Sequence, residues 1–143
     1  MGAPAEHRDG PVLVVERPET PVMFLEAADD PVEIGRAWER LEDLVGSLRG
    51  RKFLGTFAAG AYRACVQLRE DDAPEVLGLP SAVVPGGRYL RARLRGEPPG
   101  LYERIPSAFS DLEAAAARDH DRPAIEFYRR RDEVDLLMPV ATA

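Results

Sequence analysis

The sequence predicts an α+β fold in which the order strand, helix, strand, strand occurs twice. Three observations point there. A capped helix with one apolar stripe begins after Asp30, alternating strand-like segments follow it, and the same succession returns in the second half of the chain. The length, 143 residues, suits one domain with a sizeable core.

Residues 1–10 read as a flexible leader. Val12 to Val15 is an apolar run, Glu16 to Pro21 interrupts it, and Val22 to Leu25 resumes it. The two runs read either as a hairpin or as one long edge strand broken at the prolines, which cannot donate to a ladder. Asp30-Pro31-Val32-Glu33 is a helix start, with Asp30 as cap and Pro31 at the first helical position. Ile34, Ala37, Trp38, Leu41, Leu44, Val45 and Leu48 then recur at helical spacing, and Gly50 is the expected stop.

Phe53 to Phe57 and Tyr62 to Leu68 read as strands about the turn Ala58-Ala59-Gly60. In the second of them Tyr62, Ala64, Val66 and Leu68 share one face, and Arg63, Cys65 and Gln67 share the other. Glu70 to Glu75 is expected to be an exposed acidic linker. Ser81 to Val84 and Arg88 to Arg95 are the next strands, separated by Pro85-Gly86-Gly87. A second helix carries Ile105, Ala108, Phe109, Leu112, Ala115 and Ala116; at Pro106 either the regular helix begins or an upstream turn is kinked. Ala124 to Arg129 and Val134 to Val140 close the pattern around a charged turn, Arg130 to Glu133. Each helix covers one face of a small antiparallel sheet, and two such units can join edge to edge. Their open faces, or the seam between them, would then form a cleft.

Composition narrows the function. The net charge of −6 opposes a generic nucleic-acid surface, so no direct nucleic-acid binding is expected. A single cysteine, Cys65, allows no internal disulfide and no thiolate-rich metal site, and it reads as a packed, inert thiol. His7 and His120 fall in polar segments, so no metal is expected. Gly55, Gly60 and Gly86-Gly87 lack the context of a phosphate loop, and no cofactor is expected. The leader has no apolar signal core and no stretch is long enough to span a bilayer, so a cytoplasmic protein is expected.

Glu126 is the principal candidate for chemistry. It lies mid-strand in Ile125-Glu126-Phe127-Tyr128, on the face of Ala124 and Tyr128, where burying a charge is costly unless it is paired. Such a carboxylate can attract a cation, accept a donor or, with a raised pKa, activate water. Against this stands the plain reading of a solvated or salt-bridged strand residue. Tyr62, Tyr89, Tyr102 and Tyr128 are candidate pocket tyrosines, and Trp38 and Phe109 are candidate walls. For each of them core packing is the alternative. Arg91, Arg93 and Arg95 alternate as a basic stripe, while Arg129 to Arg131 read as a solvated turn.

The fragments Trp38-Glu39-Arg40-Leu41, Gly60 to Cys65, Val84 to Tyr89, Gly100 to Glu103, Ala108 to Leu112, Ile125 to Tyr128 and Leu136 to Val140 resemble, in order and spacing, the GyrI-like small-molecule-binding family. The chain is similar to the effector-binding domains of multidrug-responsive transcription activators. The resemblance covers residues 11–141, in modules of about 11–69 and 81–141. It implies two strand-helix-strand-strand modules about a pseudo-twofold axis, antiparallel sheets framing a ligand cleft, and Glu126 at the centre of that cleft.

Three functions follow from the resemblance as expectations. The first is capture of a hydrophobic, aromatic or cationic small molecule, as a standalone sensor or sequestering protein. The second is a hydrolase that adds water to a strained electrophile, such as a cyclopropane-containing DNA-alkylating natural product, using Glu126 with Tyr62 or Tyr128. The third is a gyrase-modulating interaction with a protein partner, which an acidic surface would suit. The related regulators carry a DNA-binding domain with no counterpart in this sequence, so a regulatory role is expected to need a separate partner.

Overall fold

The computed structural model describes residues 10–141, so the expected leader falls almost wholly outside the described residues. Strands β1 (Leu13–Arg17) and β2 (Thr20–Ala28) precede helix α1 (Pro31–Val45), which is followed by β3 (Phe53–Ala58) and β4 (Ala61–Gln67). A short helix α2 (Pro74–Leu77) leads to β5 (Ser81–Val84) and β6 (Gly87–Arg95). Helices α3 (Gly100–Glu103) and α4 (Ile105–Ala115) come next, and β7 (Ala124–Arg130) and β8 (Glu133–Pro139) complete the fold. The α+β class and the doubled strand-helix-strand-strand order are both present.

Local chemistry accounts for the helix ends. The Glu33 amide donates to the Asp30 carboxylate at 3.0 Å, and Pro31 opens α1 as its sequence indicates. The helix stops at Gly46, four residues before the expected Gly50. Gly46 takes φ of 81° and its N–H closes on the Glu42 carbonyl. Leu48 consequently lies beyond the apolar stripe and is exposed. The acidic linker also departs from expectation. Asp72 accepts from the Arg51 guanidinium at 2.8 and 3.0 Å and from the Arg69 amide at 2.7 Å. The Arg51 and Asp72 side chains are 5% and 13% exposed, so this segment is tied to the domain.

The strands form one antiparallel eight-stranded sheet in the order β1-β6-β8-β7-β3-β4-β2-β5. β1 and β2 are neither a hairpin nor one broken edge strand. β1 pairs with β6 of the second half, and β2 lies between β4 and β5. The β5–β6 connection mirrors this, since β5 joins β2 and β6 joins β1 and β8. Each half therefore donates its leading strand to the other. The two linkers cross at Gly86, where a Cβ would stand 2.5 Å from the Glu19 amide nitrogen and 2.7 Å from the Arg17 carbonyl oxygen. Arg122 fastens the crossing by donating to the carbonyls of Gly86, Arg88 and Val140.

Both long helices lie on one face of the sheet. Ala37 and Leu41 of α1 pack with Met23, Ala64 and Val66, while Phe109 and Leu112 of α4 pack with Leu94 and Leu136. The opposite face holds a third core of Val22, Phe24, Leu54, Tyr89, Ile125 and Leu137. Val15 from the β1 edge and Ala82 from the β5 edge both pack onto it, so the sheet curls and brings its two ends to one core.

The glycines supply a direct test. Gly86→Val places side-chain atoms against backbone that cannot rotate away, and stability should fall by about 1–3 kcal/mol or more in urea denaturation. Gly35→Ala, inside α1 with no atom near the new Cβ, should instead gain up to about 1 kcal/mol.

Candidate ligand-binding site

The seam between the halves is the β3–β7 pairing, and Glu126 stands in the middle of it, opposite Gly55. Alternation sends Glu126, Ala124 and Tyr128 to the helix-bearing face and Ile125 and Phe127 to the opposite core. Glu126 is only 7% exposed. Its Oε1 accepts from the Tyr62 hydroxyl at 3.0 Å and from the Tyr128 hydroxyl at 2.5 Å. No donor among the described residues reaches Oε2.

Gly55 makes this arrangement possible. A Cβ there would lie 2.0 Å from the Tyr62 hydroxyl oxygen and 3.0 Å from Glu126 Oε1. The missing side chain lets the Tyr62 hydroxyl lean over β3 and reach the carboxylate. Trp38 on α1 then donates its indole N–H to that hydroxyl at 3.1 Å. With a lone pair so engaged, the tyrosine proton is directed at Glu126.

Aromatic rings close around the hydrogen bonds. Trp38 meets Tyr128 edge to face at 5.6 Å, and Tyr128 meets Tyr102 of α3 at 6.0 Å. Phe57 links Tyr62, at 6.2 Å, to Phe109 of α4, at 5.2 Å. Tyr102 is 42% exposed and forms the outer rim. Trp38, Tyr62, Tyr102, Phe109 and Tyr128 are thus gathered with Glu126 at one place. Tyr89 is not brought there. It lies on the opposite face, beneath the Arg122 guanidinium at 4.9 Å, with its hydroxyl donating to the Pro85 carbonyl at 2.5 Å. Its strand carries it away because β6 turns Leu90 and Ala92 to the helices. Phe57 was missed, although its place two residues from Gly55 puts it on the Glu126 face.

Burial sets the electrostatics. Desolvation raises the Glu126 carboxyl above its ordinary value, against the opposing pull of the Tyr128 and Tyr62 hydrogen bonds. Desolvation also raises both tyrosines, followed by the charge of Glu126. They remain neutral donors. Cys65 is fully buried on the other face, where burial pushes its thiol up to about 12, in keeping with a packed thiol. A cavity of about 260 Å³ lies on that face too, lined by Glu26, Thr56, Arg63, Cys65, Val84 and Pro85. Glu126 is not among its lining residues. Among the described residues no group of acidic, histidine or cysteine side chains is placed to hold a metal ion, and no helix is long and apolar enough to cross a membrane.

Solved structures share this architecture. An integron cassette protein from the mobile metagenome of Vibrio cholerae superposes with a TM-score of 0.69 at 18% identity, over 91% of this chain and 95% of that one. The protein SAV2435, bound to tetraphenylphosphonium, gives 0.65 at 13% identity, over 92% and 94%. The C-terminal domain of EcmrR gives 0.65 at 11% identity, over 93% and 98%. The chain has the GyrI-like fold. No protein-family model and no curated protein matches the sequence. The likeness extends across both halves, so the β3–β7 seam that holds Glu126 belongs to the shared architecture.

Two outcomes follow from the geometry. Gly55→Ala should evict the Tyr62 hydroxyl from Glu126 and cost about 1–3 kcal/mol by denaturant titration, with loss of the Tyr62 hydroxyl signal by NMR. The second concerns pH. Because the folded state raises the Glu126 pKa, that residue's contribution to stability is whole below its ordinary 4.5 and is lost as pH climbs through the raised value. Thermal melts of the wild type and Glu126→Gln should therefore converge or cross as pH rises above 4.5.

Proposed function

We propose that the chain binds a hydrophobic, aromatic cation at the aromatic cluster around Glu126, as a sensor or sequestering module for small molecules. The observation that carries this reading is the buried carboxylate with an unengaged oxygen, held by neutral donors and ringed by aromatic side chains. A cation entering such a site meets a desolvated negative charge and several π faces at once, contacts worth about 2 kcal/mol or more each when water is excluded. The tetraphenylphosphonium bound to SAV2435, a protein of the same fold, supports the choice of ligand class. Tyr102 on the short α3 is exposed at the outer rim of these rings, where an entering ligand would meet it first.

Calorimetric titration with tetraphenylphosphonium is the test. Glu126→Gln should weaken binding roughly tenfold to a hundredfold. Wild-type affinity should rise with pH above 4.5 as the carboxyl ionises, and the variant's should not. Equal affinity in the two proteins would remove the electrostatic basis of the proposal.

The raised carboxyl beside two tyrosine hydroxyls also favours a second reading, hydrolysis of a strained electrophile. Glu126 would take a proton from water as its oxygen bonds to a ring carbon. The other carbon of the broken C–C bond would take the bonding electron pair and receive the proton that Glu126 removed from water. Mass spectrometry of a cyclopropane electrophile separates the readings. A water-added product exceeding one equivalent of protein requires turnover, whereas stoichiometric retention of unchanged compound supports binding.

A further inference from the structure

The donors of the aromatic cluster converge on one oxygen of Glu126. The Tyr62 and Tyr128 hydroxyls both donate to Oε1, at 3.0 and 2.5 Å. The Trp38 indole N–H is spent on the Tyr62 hydroxyl at 3.1 Å. An ionised carboxylate has two oxygens and about four acceptor positions, so one side of this group is served and the other is not. Oε2 receives no donor among the described residues. It is not sealed off either. The fully buried side-chain polar atoms without a partner are nitrogens of Arg51, Arg91, Arg104 and Arg118 among the described residues. Oε2 therefore keeps some accessible surface, on a residue only 7% exposed.

Two kinds of hydrophobic cation answer such a site differently. A quaternary cation, its charge wrapped in carbon, meets the ring faces and the negative charge but brings Oε2 no hydrogen. Tetraphenylphosphonium, bound to SAV2435, is of this kind. A protonated amine of the same size keeps the ring contacts and adds an N–H. Its bond to a carboxylate is charge-assisted and roughly twice as strong as a neutral one. The difference counts here because so little of Glu126 is open to water that could serve Oε2 instead.

We propose that the site around Glu126 selects protonated aromatic amines, whose N–H donates to Oε2, over quaternary cations of matching size and charge. This rests on the cation-binding reading above and narrows its ligand class. Tyr62 of β4 and Tyr128 of β7 make Oε2 the point of contact, because their hydroxyls hold Oε1 from the two halves of the chain. Trp38, Tyr128 and Tyr102 are the rings that receive the aryl group.

Calorimetric titration of a matched pair tests this. The probes are protonated dimethyl(naphthylmethyl)amine and trimethyl(naphthylmethyl)ammonium, which share ring and charge and differ by N–H against N–CH3. The pH is held where the amine is protonated and where Glu126→Gln already weakens binding of the quaternary salt, so that the carboxyl is ionised. The wild type should bind the amine roughly tenfold to a hundredfold more tightly than the quaternary salt. Glu126→Gln should abolish or reverse that preference. The tyrosine hydroxyls keep the amide oxygen in the place of Oε1, which leaves the amide NH2, a donor, where Oε2 stood. If that variant fails to fold, the wild-type pair still decides, and NMR adds a second readout, a bound-amine N–H proton shifted downfield and slow to exchange. A quaternary salt that binds the wild type as tightly as the amine, and is weakened by Glu126→Gln, overturns the selectivity and leaves the cation reading standing. Equal affinity of both probes for both proteins overturns the two together, as does a wild type that binds neither.

Discussion

The pairing of β3 with β7 joins the two halves, and at its centre a residue without a side chain faces a residue with a buried charge. Gly55 gives up its side-chain volume to the Tyr62 hydroxyl, which with Tyr128 solvates Glu126 in place of water. The three groups come from both halves of the chain, so the hydrogen bonds that make the carboxylate tolerable also register the halves against each other. Trp38 extends the linkage to α1, and Phe57 with Phe109 extends it to α4.

The exchange of leading strands reinforces that seam from a distance. β1 completes the second half and β5 completes the first, so neither half has its full set of strands without the other. Their linkers cross where a glycine permits backbone to touch backbone, and Arg122 donates to three carbonyls around the crossing, those of Gly86, Arg88 and Val140. The curl that results separates two environments. The helix-bearing face concentrates aromatic rings around a carboxylate, whereas the opposite face gathers arginines around Glu133 and Asp135. An acidic chain thus presents a negative, aromatic centre on one side of its sheet and a locally cationic surface on the other.

Much of this was legible in residue order. Helical spacing from Ile34 to Val45, the cap at Asp30 and the period-two alternation of β4 and β7 are local signals, governed by backbone geometry within a few residues. They sufficed for the α+β class, for the doubled order and for the face on which Glu126 lies. They misjudged Gly50 as the helix stop because two glycines close together can both take positive φ, and which one ends a helix depends on where the chain must go next.

What the sequence by itself determined is therefore which residues share an element and a face. Whether β1 pairs with β2 or with β6 depends on segments seventy or more residues apart, and prolines mark the break without naming the partner. Tyr89 resembles the other tyrosines in its local pattern, but the pleat of β6 turns it away from Glu126. Oppositely, Gly55 looks like an ordinary strand glycine until Tyr62 and Glu126 meet across it. Contacts of this kind are non-local, set by pairing register and sheet curl, and tertiary structure alone decides them.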